Sequence, residues 1–152
     1  MAPRIVTLTV NPALDVAMDV PGIQAGHKIR ASHETYDPGG GGINVSRVVR
    51  ALGGDTLAIF TAGGPTGRHL RQLLSQCGVR CHAVPVAGIT RTSVTVHDRA
   101  SGSEYRFVPD GPALTSEEGE RILAAVGRLD PPLDTPSDRI DAVVLHPVAS
   151  RW

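Results

Sequence analysis

Four consecutive glycines, Gly39 to Gly42, stand between Asp37-Pro38 and Ile43-Asn44-Val45 and leave the chain few ways to continue. Pro38 disfavours helix in the residue before it, so a helix here has to begin after the proline. Beyond the glycines, Val45, Val48, Val49 and Leu52 recur at i, i+3, i+4 and i+7. This predicts an amphipathic helix with one apolar stripe, which Gly53-Gly54 ends. Glycines at a helix start let a ligand approach backbone N–H groups that a Cβ would shield. The orphan N–H groups of the first turn and the positive end of the helix then favour a phosphate or a ring of sugar hydroxyls. A plain flexible loop is the alternative. The defined stop, the Asn44 amide and the apolar stripe favour a ligand site.

The rest of the chain supplies the frame. Arg4 to Val10 reads as a buried strand, followed by Asn11-Pro12-Ala13-Leu14-Asp15. An aspartate just past a buried strand is where open α/β sheets place ligand groups, and an Asx-turn is the equally good structural reading. Val16 to Asp37 alternates in short pieces (Val16, Met18, Val20; then Ile29, Ala31), which predicts two or three short strands in a flap. On that pattern Lys28 and Arg30 share one face. Thr56 to Thr61 is a second buried strand, leading into the glycine-rich turn Ala62-Gly63-Gly64-Pro65-Thr66-Gly67. A helix with Leu70, Leu73, Leu74 and Cys77 on one stripe follows, then a strand from Val79 to Val86. Strand, helix and strand joined by tight turns make a βαβ unit, so the main sheet is expected to be parallel.

Thr92 to His97 and Glu104 to Val108 alternate around Asp98-Arg99-Ala100-Ser101-Gly102, a hairpin with one polar face. It is expected to join the earlier alternating pieces in a small second sheet. Thr115 and Glu118 form a capping box opening a helix with Ile122, Leu123, Val126 and Leu129 on its apolar side. A Pro/Asp-rich loop from Asp130 to Asp138 precedes a last strand, Ile140 to Leu145.

Totals narrow the function. With Lys+Arg and Asp+Glu both at 15, no basic field argues for nucleic acid or an anionic membrane. Aromatic residues are 3% of the chain, too few for base-stacking platforms. The N-terminal apolar run is broken by Asn11-Pro12 and no stretch is long enough to span a bilayer, so a cytoplasmic protein without a membrane partner is expected. Cys77 and Cys81 have no second pair to complete a zinc site and read as structural thiols, and the 6 histidines lack ligand spacing, so no metal is assigned to them. No P-loop, dinucleotide fingerprint, G-x-S-x-G elbow or H-E-x-x-H is present. What remains is two glycine-rich helix starts, Asp15, and candidate cations at Lys28, Arg91 and Arg106. That set suits a small polyhydroxy anion, with carboxylate for hydroxyls and arginine for phosphate.

Three stretches carry a resemblance: Thr7-Leu8-Thr9-Val10-Asn11-Pro12-Ala13-Leu14-Asp15, Pro38-Gly39-Gly40-Gly41-Gly42-Ile43-Asn44-Val45-Ser46-Arg47, and Ala62-Gly63-Gly64-Pro65-Thr66-Gly67. Together they resemble the PfkB, or ribokinase-like, carbohydrate kinases, in particular the phosphofructokinase branch, from Arg4 to Leu145. The resemblance implies an α/β fold with a parallel sheet flanked by helices and a small β lid, its strands at about 16–37 and 91–108. It implies ATP-dependent phosphorylation of a sugar phosphate. Glycine at Gly41, where relatives acting on fructose 1-phosphate or tagatose 6-phosphate carry lysine, implies fructose 6-phosphate. Asp15, Gly40, Gly41 and Asn44 match positions that bind sugar hydroxyls, and Arg91 one that grips the substrate phosphate. Lys28 matches a lid lysine placed towards the transferred phosphate from the neighbouring subunit of a homodimer paired through the lids. Arg106 is a weaker candidate, for which an exposed lid arginine is the alternative.

The same resemblance marks a departure. The family's base is the aspartate of a Gly-Ala-Gly-Asp motif beside the ATP and Mg²⁺ site, and neither that motif nor its anion-binding helix occurs in the 152 residues. The expectation is the N-terminal part of one kinase domain over 1–152, without the catalytic aspartate and inactive alone, with an exposed sheet edge and uncovered apolar helix faces. A non-catalytic phosphosugar-binding or lid-dimerising remnant is the alternative. After Val143-Val144-Leu145 the family continues Ser-Gly-Ser-Leu-Pro, where this chain has His146-Pro147-Val148-Ala149-Ser150-Arg151-Trp152. Permitted codons for these residues encode Ser-Gly-Ser-Leu-Pro in a shifted frame, which points to a frameshift.

Overall fold

The computed structural model describes residues 4–127 and 142–146. In chain order the elements are β1 (Arg4–Thr9), β2 (Ala13–Val20), β3 (Ser32–Gly39), α1 (Gly41–Ala51), β4 (Asp55–Ala62) and α2 (Gly64–Gln76). Then follow β5 (Arg80–Pro85), β6 (Arg91–Asp98), β7 (Glu104–Phe107), α3 (Ser116–Gly127) and β8 (Ala142–His146). They form two four-stranded sheets. The main sheet has the order β5-β4-β1-β8 with every pair parallel. The second has the order β3-β2-β6-β7, with antiparallel pairs outside and a parallel β2–β6 pair at its centre.

Alternation along β4 sets the layers, because successive side chains of a strand face opposite ways. Ala58 and Phe60 pack with Ile43 of α1 and with Leu70 and Leu74 of α2. Ile59 faces the other way, into a cluster with Val6, Leu8, Val84 and Ile122 of α3. Helices therefore cover both faces, as an all-parallel sheet requires. The capping box is formed as its sequence predicts: the Thr115 N–H donates to Glu118 Oε2 at 2.8 Å and the Glu118 N–H donates to Thr115 Oγ1 at 3.2 Å. Buried Glu118 also accepts the Ala87 N–H at 2.8 Å, tying α3 to the loop after β5.

Several expectations need correction. The valine stripe of α1 is not its core face, for Val48 is 59% and Leu52 83% exposed, while Gly42, Ile43 and Ser46 are buried. The reason is polar. Ser46 Oγ sits 2.8 Å from both Thr7 Oγ1 of β1 and Thr56 Oγ1 of β4, so small residues bring the helix close to the sheet and a buried hydroxyl chain fixes it there. The residues around Ile29 form no strand; β3 starts at Ser32, and Lys28 lies on the exposed loop between β2 and β3. Cys77 does not continue the α2 stripe inward but caps the helix at the surface, and Leu123 of α3 is likewise exposed. Leu129, the loop from Asp130 to Asp138 and the tail after His146 lie outside the described residues.

The second sheet is assembled from two excursions. β2 and β3 leave the core between β1 and α1, and β6 and β7 leave it between β5 and α3. Its first strand begins at Ala13, three residues before the alternation starts, so Asp15 lies within a strand and the Asx-turn reading falls away.

Candidate functional site

The polar face of the second sheet begins with one row of residues. Asp15 of β2 stands opposite Asp37 of β3 and opposite Ser93 of β6. One step along, Arg91 opposes Ala13, and Thr95 opposes Arg106 of β7. These residues share a cavity of about 260 Å³ with Gly40 and Asn44, which belong to the start of α1. Asp15, Gly40, Asn44 and Arg91, assigned from sequence, are thus brought together. Gly41 opens α1 between Gly40 and Asn44 but is not among the lining residues, and neither is Lys28. Arg106, the weaker candidate, does line the cavity.

The glycine run is shaped to its neighbours. A Cβ on Gly39 would overlap the Asp15 carboxylate, so the acid leans across Gly39 towards the helix start. Gly40 has φ 123°, a conformation that side chains disfavour, and it turns the chain from β3 into α1. In the first turn of α1 the Ile43 N–H donates to Thr9 Oγ1 at 3.1 Å and the Asn44 N–H to the Gly40 carbonyl at 2.8 Å. The Gly41 N–H takes no partner among the described residues and remains open at the helix start, where anions and hydroxyl oxygens are favoured.

Electrostatics divide the cavity. Burial raises the Asp15 carboxyl above the usual carboxylate range, Arg91 being the chief opposing influence; the Ser93 hydroxyl and Arg106 also lower it and Asp37 raises it, with a net rise. Arg91 is held at the base. Its Nη1 donates to the Pro109 carbonyl at 3.2 Å and its Nη2 to the Asn11 carbonyl at 3.3 Å. Among the described residues, the buried side-chain polar atoms without a partner are Arg91 Nε and Asn11 Oδ1. A guanidinium fixed by two carbonyls and still short of an acceptor is prepared for an anion.

Asp37, Ser93 and Thr95 were missed as site residues in the sequence. Their signal is alternation: Thr35, Asp37 and Gly39 share one face of β3, and Arg91, Ser93 and Thr95 share one face of β6.

The profile of the pfkB family carbohydrate kinases matches residues 9–128. The chain belongs to the pfkB family. This pfkB-family chain is 49% identical over 121 residues to the ATP-dependent 6-phosphofructokinase isozyme 2 of Mycobacterium tuberculosis, covering 80% of itself and 36% of that protein. It is 47% identical over 119 residues to the isozyme 2 of Escherichia coli K12, covering 78% of itself and 38% of the relative. A crystal structure of Escherichia coli phosphofructokinase-2 in complex with fructose-6-phosphate superimposes with a TM-score of 0.83 at 39% identity, over 96% of this chain and 45% of that one. The chain spans less than half the length of these relatives. The architecture is ribokinase-like α/β, with a parallel sheet between helices and a small β sheet beside it. Among the described residues no helix is long and apolar enough to cross a membrane, and no group of 3 or more His, Cys, Asp or Glu side chains is placed to hold a metal ion.

Proposed function

We propose that this chain carries the sugar end of an ATP-dependent sugar-phosphate kinase, with fructose 6-phosphate as the substrate converted to fructose 1,6-bisphosphate. The observation that carries the reading is the convergence of Asp15, Arg91 and the Gly40–Asn44 helix start on one cavity of about 260 Å³. In this reading Asp15 accepts a ring hydroxyl, as does Asn44 through its amide oxygen. The Gly40-Gly41 backbone lets the sugar lie against the helix start, and Arg91 and Arg106 meet the phosphate. Glycine at Gly41, rather than lysine, supports fructose 6-phosphate over fructose 1-phosphate or tagatose 6-phosphate.

In this reading the described residues are not the nucleotide–Mg²⁺ site. No acidic cluster gathers among them, and the second glycine-rich turn is already bonded internally, the Gly63 N–H to Thr90 Oγ1 at 3.1 Å. We place the ATP and Mg²⁺ site and the proton-abstracting aspartate outside these residues, and no transfer step is assigned to this chain. The described residues bind and orient the sugar phosphate.

The second sheet serves as a lid with two unlike faces. Opposite the Asp15 face, Tyr36, Val16, Val94 and Phe107 form one row across all four strands, and Met18, Val96 and Tyr105 form the next. Phe107 is 58% exposed, and Tyr36 and Tyr105 are exposed as well. An apolar sheet face of this kind supports homodimerisation through the lids, which is the arrangement that brings exposed Lys28 towards a partner's site.

The test is a titration of the purified chain with fructose 6-phosphate followed by heat denaturation. A ligand that binds only the folded chain raises its melting temperature. The expected result is a rise that Asp15→Asn removes, with no turnover when ATP and Mg²⁺ are added. No rise at millimolar sugar phosphate, or turnover by this chain, overturns the reading.

A further inference from the structure

Asp37 has no part in the role assignments above, yet it faces the same cavity as Asp15 and stands directly opposite it in the β2–β3 register. Its carboxylate does not lean over Gly39 as that of Asp15 does. It is drawn the other way, where Arg47 of α1 donates from Nη2 to Oδ1 at 2.8 Å. Arg47 is itself anchored, its Nη1 donating to the Pro38 carbonyl at 3.3 Å. The guanidinium thus bridges the end of β3, just before the glycine run, and the second turn of the helix after it. Oδ2 of Asp37 has no partner among the described residues. The side chain is 57% exposed, so it stands at the cavity rim, where a ligand passes.

Charge sharpens the point. The cavity wall holds two arginines, Arg91 and Arg106, that suit an anion, and two carboxylates that oppose one. An acid with no ligand to read would only weaken anion binding, since a like charge nearby is repulsive. An acid held by an arginine outside the cavity, with one oxygen left open, is instead arranged to accept a hydroxyl.

Resting on the sugar-phosphate reading above, we infer that Asp37 is a second hydroxyl-accepting carboxylate that sets selectivity for a polyhydroxy phosphate over a bare phosphate, and that Arg47 is its positioning residue. Asp15 and Asp37 then read hydroxyls on two sides of one ligand while the arginines hold its phosphate.

The test compares two probes, fructose 6-phosphate and inorganic phosphate, on the full chain by calorimetric titration. A hydrogen bond to a charged group is lost in Asp37→Asn, so fructose 6-phosphate binding falls about tenfold or more. Inorganic phosphate binding holds or tightens, because a repelling charge is gone. Arg47→Met moves the ratio of the two affinities the same way, and Arg47→Lys recovers part of it. A purely structural role would weaken both probes together, and that result overturns the inference. Equal tightening of both probes in Asp37→Asn also overturns it, showing that Asp37 only repels anions. If the unmodified chain binds inorganic phosphate but not fructose 6-phosphate, the sugar-phosphate reading itself fails and the inference falls with it. An unaltered fructose 6-phosphate affinity in Asp37→Asn overturns the inference alone.

Discussion

The same substitution, glycine to alanine inside a helix, is expected to act in opposite directions at Gly42 and Gly119. Alanine favours helix over glycine by up to about 1 kcal/mol, so in open space the change stabilises. Gly119 of α3 has that space, since a Cβ there meets nothing within 4 Å. Gly119→Ala is expected to stabilise by roughly 0.4–1 kcal/mol. At Gly42 of α1 the added carbon would lie 2.7 Å from Thr9 Oγ1, 3.0 Å from the Leu8 carbonyl oxygen and 3.2 Å from Thr7 Cβ. Two of these three neighbours are fixed by β1, in the middle of the parallel sheet. The hydroxyl can rotate away only by giving up the Ile43 N–H, a bond worth about 1 kcal/mol. Overpacking against backbone adds about 1–3 kcal/mol. The propensity gain is smaller than this sum, so Gly42→Ala is expected to destabilise by about 1–3 kcal/mol. At about 3 °C per kcal/mol for a chain of this size, the two variants move the melting temperature apart by several degrees with opposite signs. Urea unfolding followed by far-UV circular dichroism provides the free energies. Equal stabilisation by both variants would refute the close seating of α1 on β1, and with it the explanation for that helix's polar buried face.

Other consequences are as direct. Ser46→Ala removes the hydroxyl that bridges Thr7 and Thr56 and is expected to cost about 1–3 kcal/mol in urea unfolding; a cost below about 0.5 kcal/mol would show that the two threonines find other partners. Acid is expected to loosen two turns. For Asp98, burial alone would raise the carboxyl, but the amides of Ser101, Ile23 and Ala100 together outweigh it; for Glu118, the Thr115 and Ala87 amides lower it. Both folded values lie below the ordinary ones of 3.8 and 4.5, so their stabilisation is complete above those values and is lost as pH falls below them. Stability that stays flat down to pH 2 would contradict this. With Ellman's reagent at pH 8, exposed Cys77 is expected to react quickly and Cys81 slowly, because burial raises the Cys81 thiol against the opposing charge of Arg71. Two equally fast thiols would place Cys81 at the surface.

Sequence and structure agree most where one local rule is sufficient. Thr115 and Glu118 satisfy the capping box unaided, and the runs in β1 and β4 are apolar enough to be strands in any α/β arrangement. Reading α1 by its valines failed because periodicity marks where apolar residues lie, not which face is covered. Gly42 and Ser46, four apart, carried the information as a small-residue face suited to close approach. That Asp15, Gly40, Asn44 and Arg91 belong together was legible because motifs and matched spacing hold them, and they line one cavity. Asp37 was not, and Arg106 was only a weaker candidate, since their presence at the cavity depends on the register between paired strands. An acid two residues before a glycine run has no distinctive pattern until β2 and β3 are paired.

The second sheet's composition from two excursions has a consequence for how the chain reaches its native state. The central β2–β6 ladder joins Ala13 to Arg91 and continues to Val20 with Asp98. It closes across the whole of α1, β4, α2 and β5, and contacts so distant in sequence repay their loop-closure entropy only after the intervening segment is compact. Neither outer strand pair has a helix within its own excursion to hold it, so the two hairpins wait on the core. In refolding followed by pulsed hydrogen exchange, amides of β4 and α2 are therefore expected to gain protection before those of β2 and β6. Among the described elements, the sheet that bears most of the cavity-lining side chains would be the last to order.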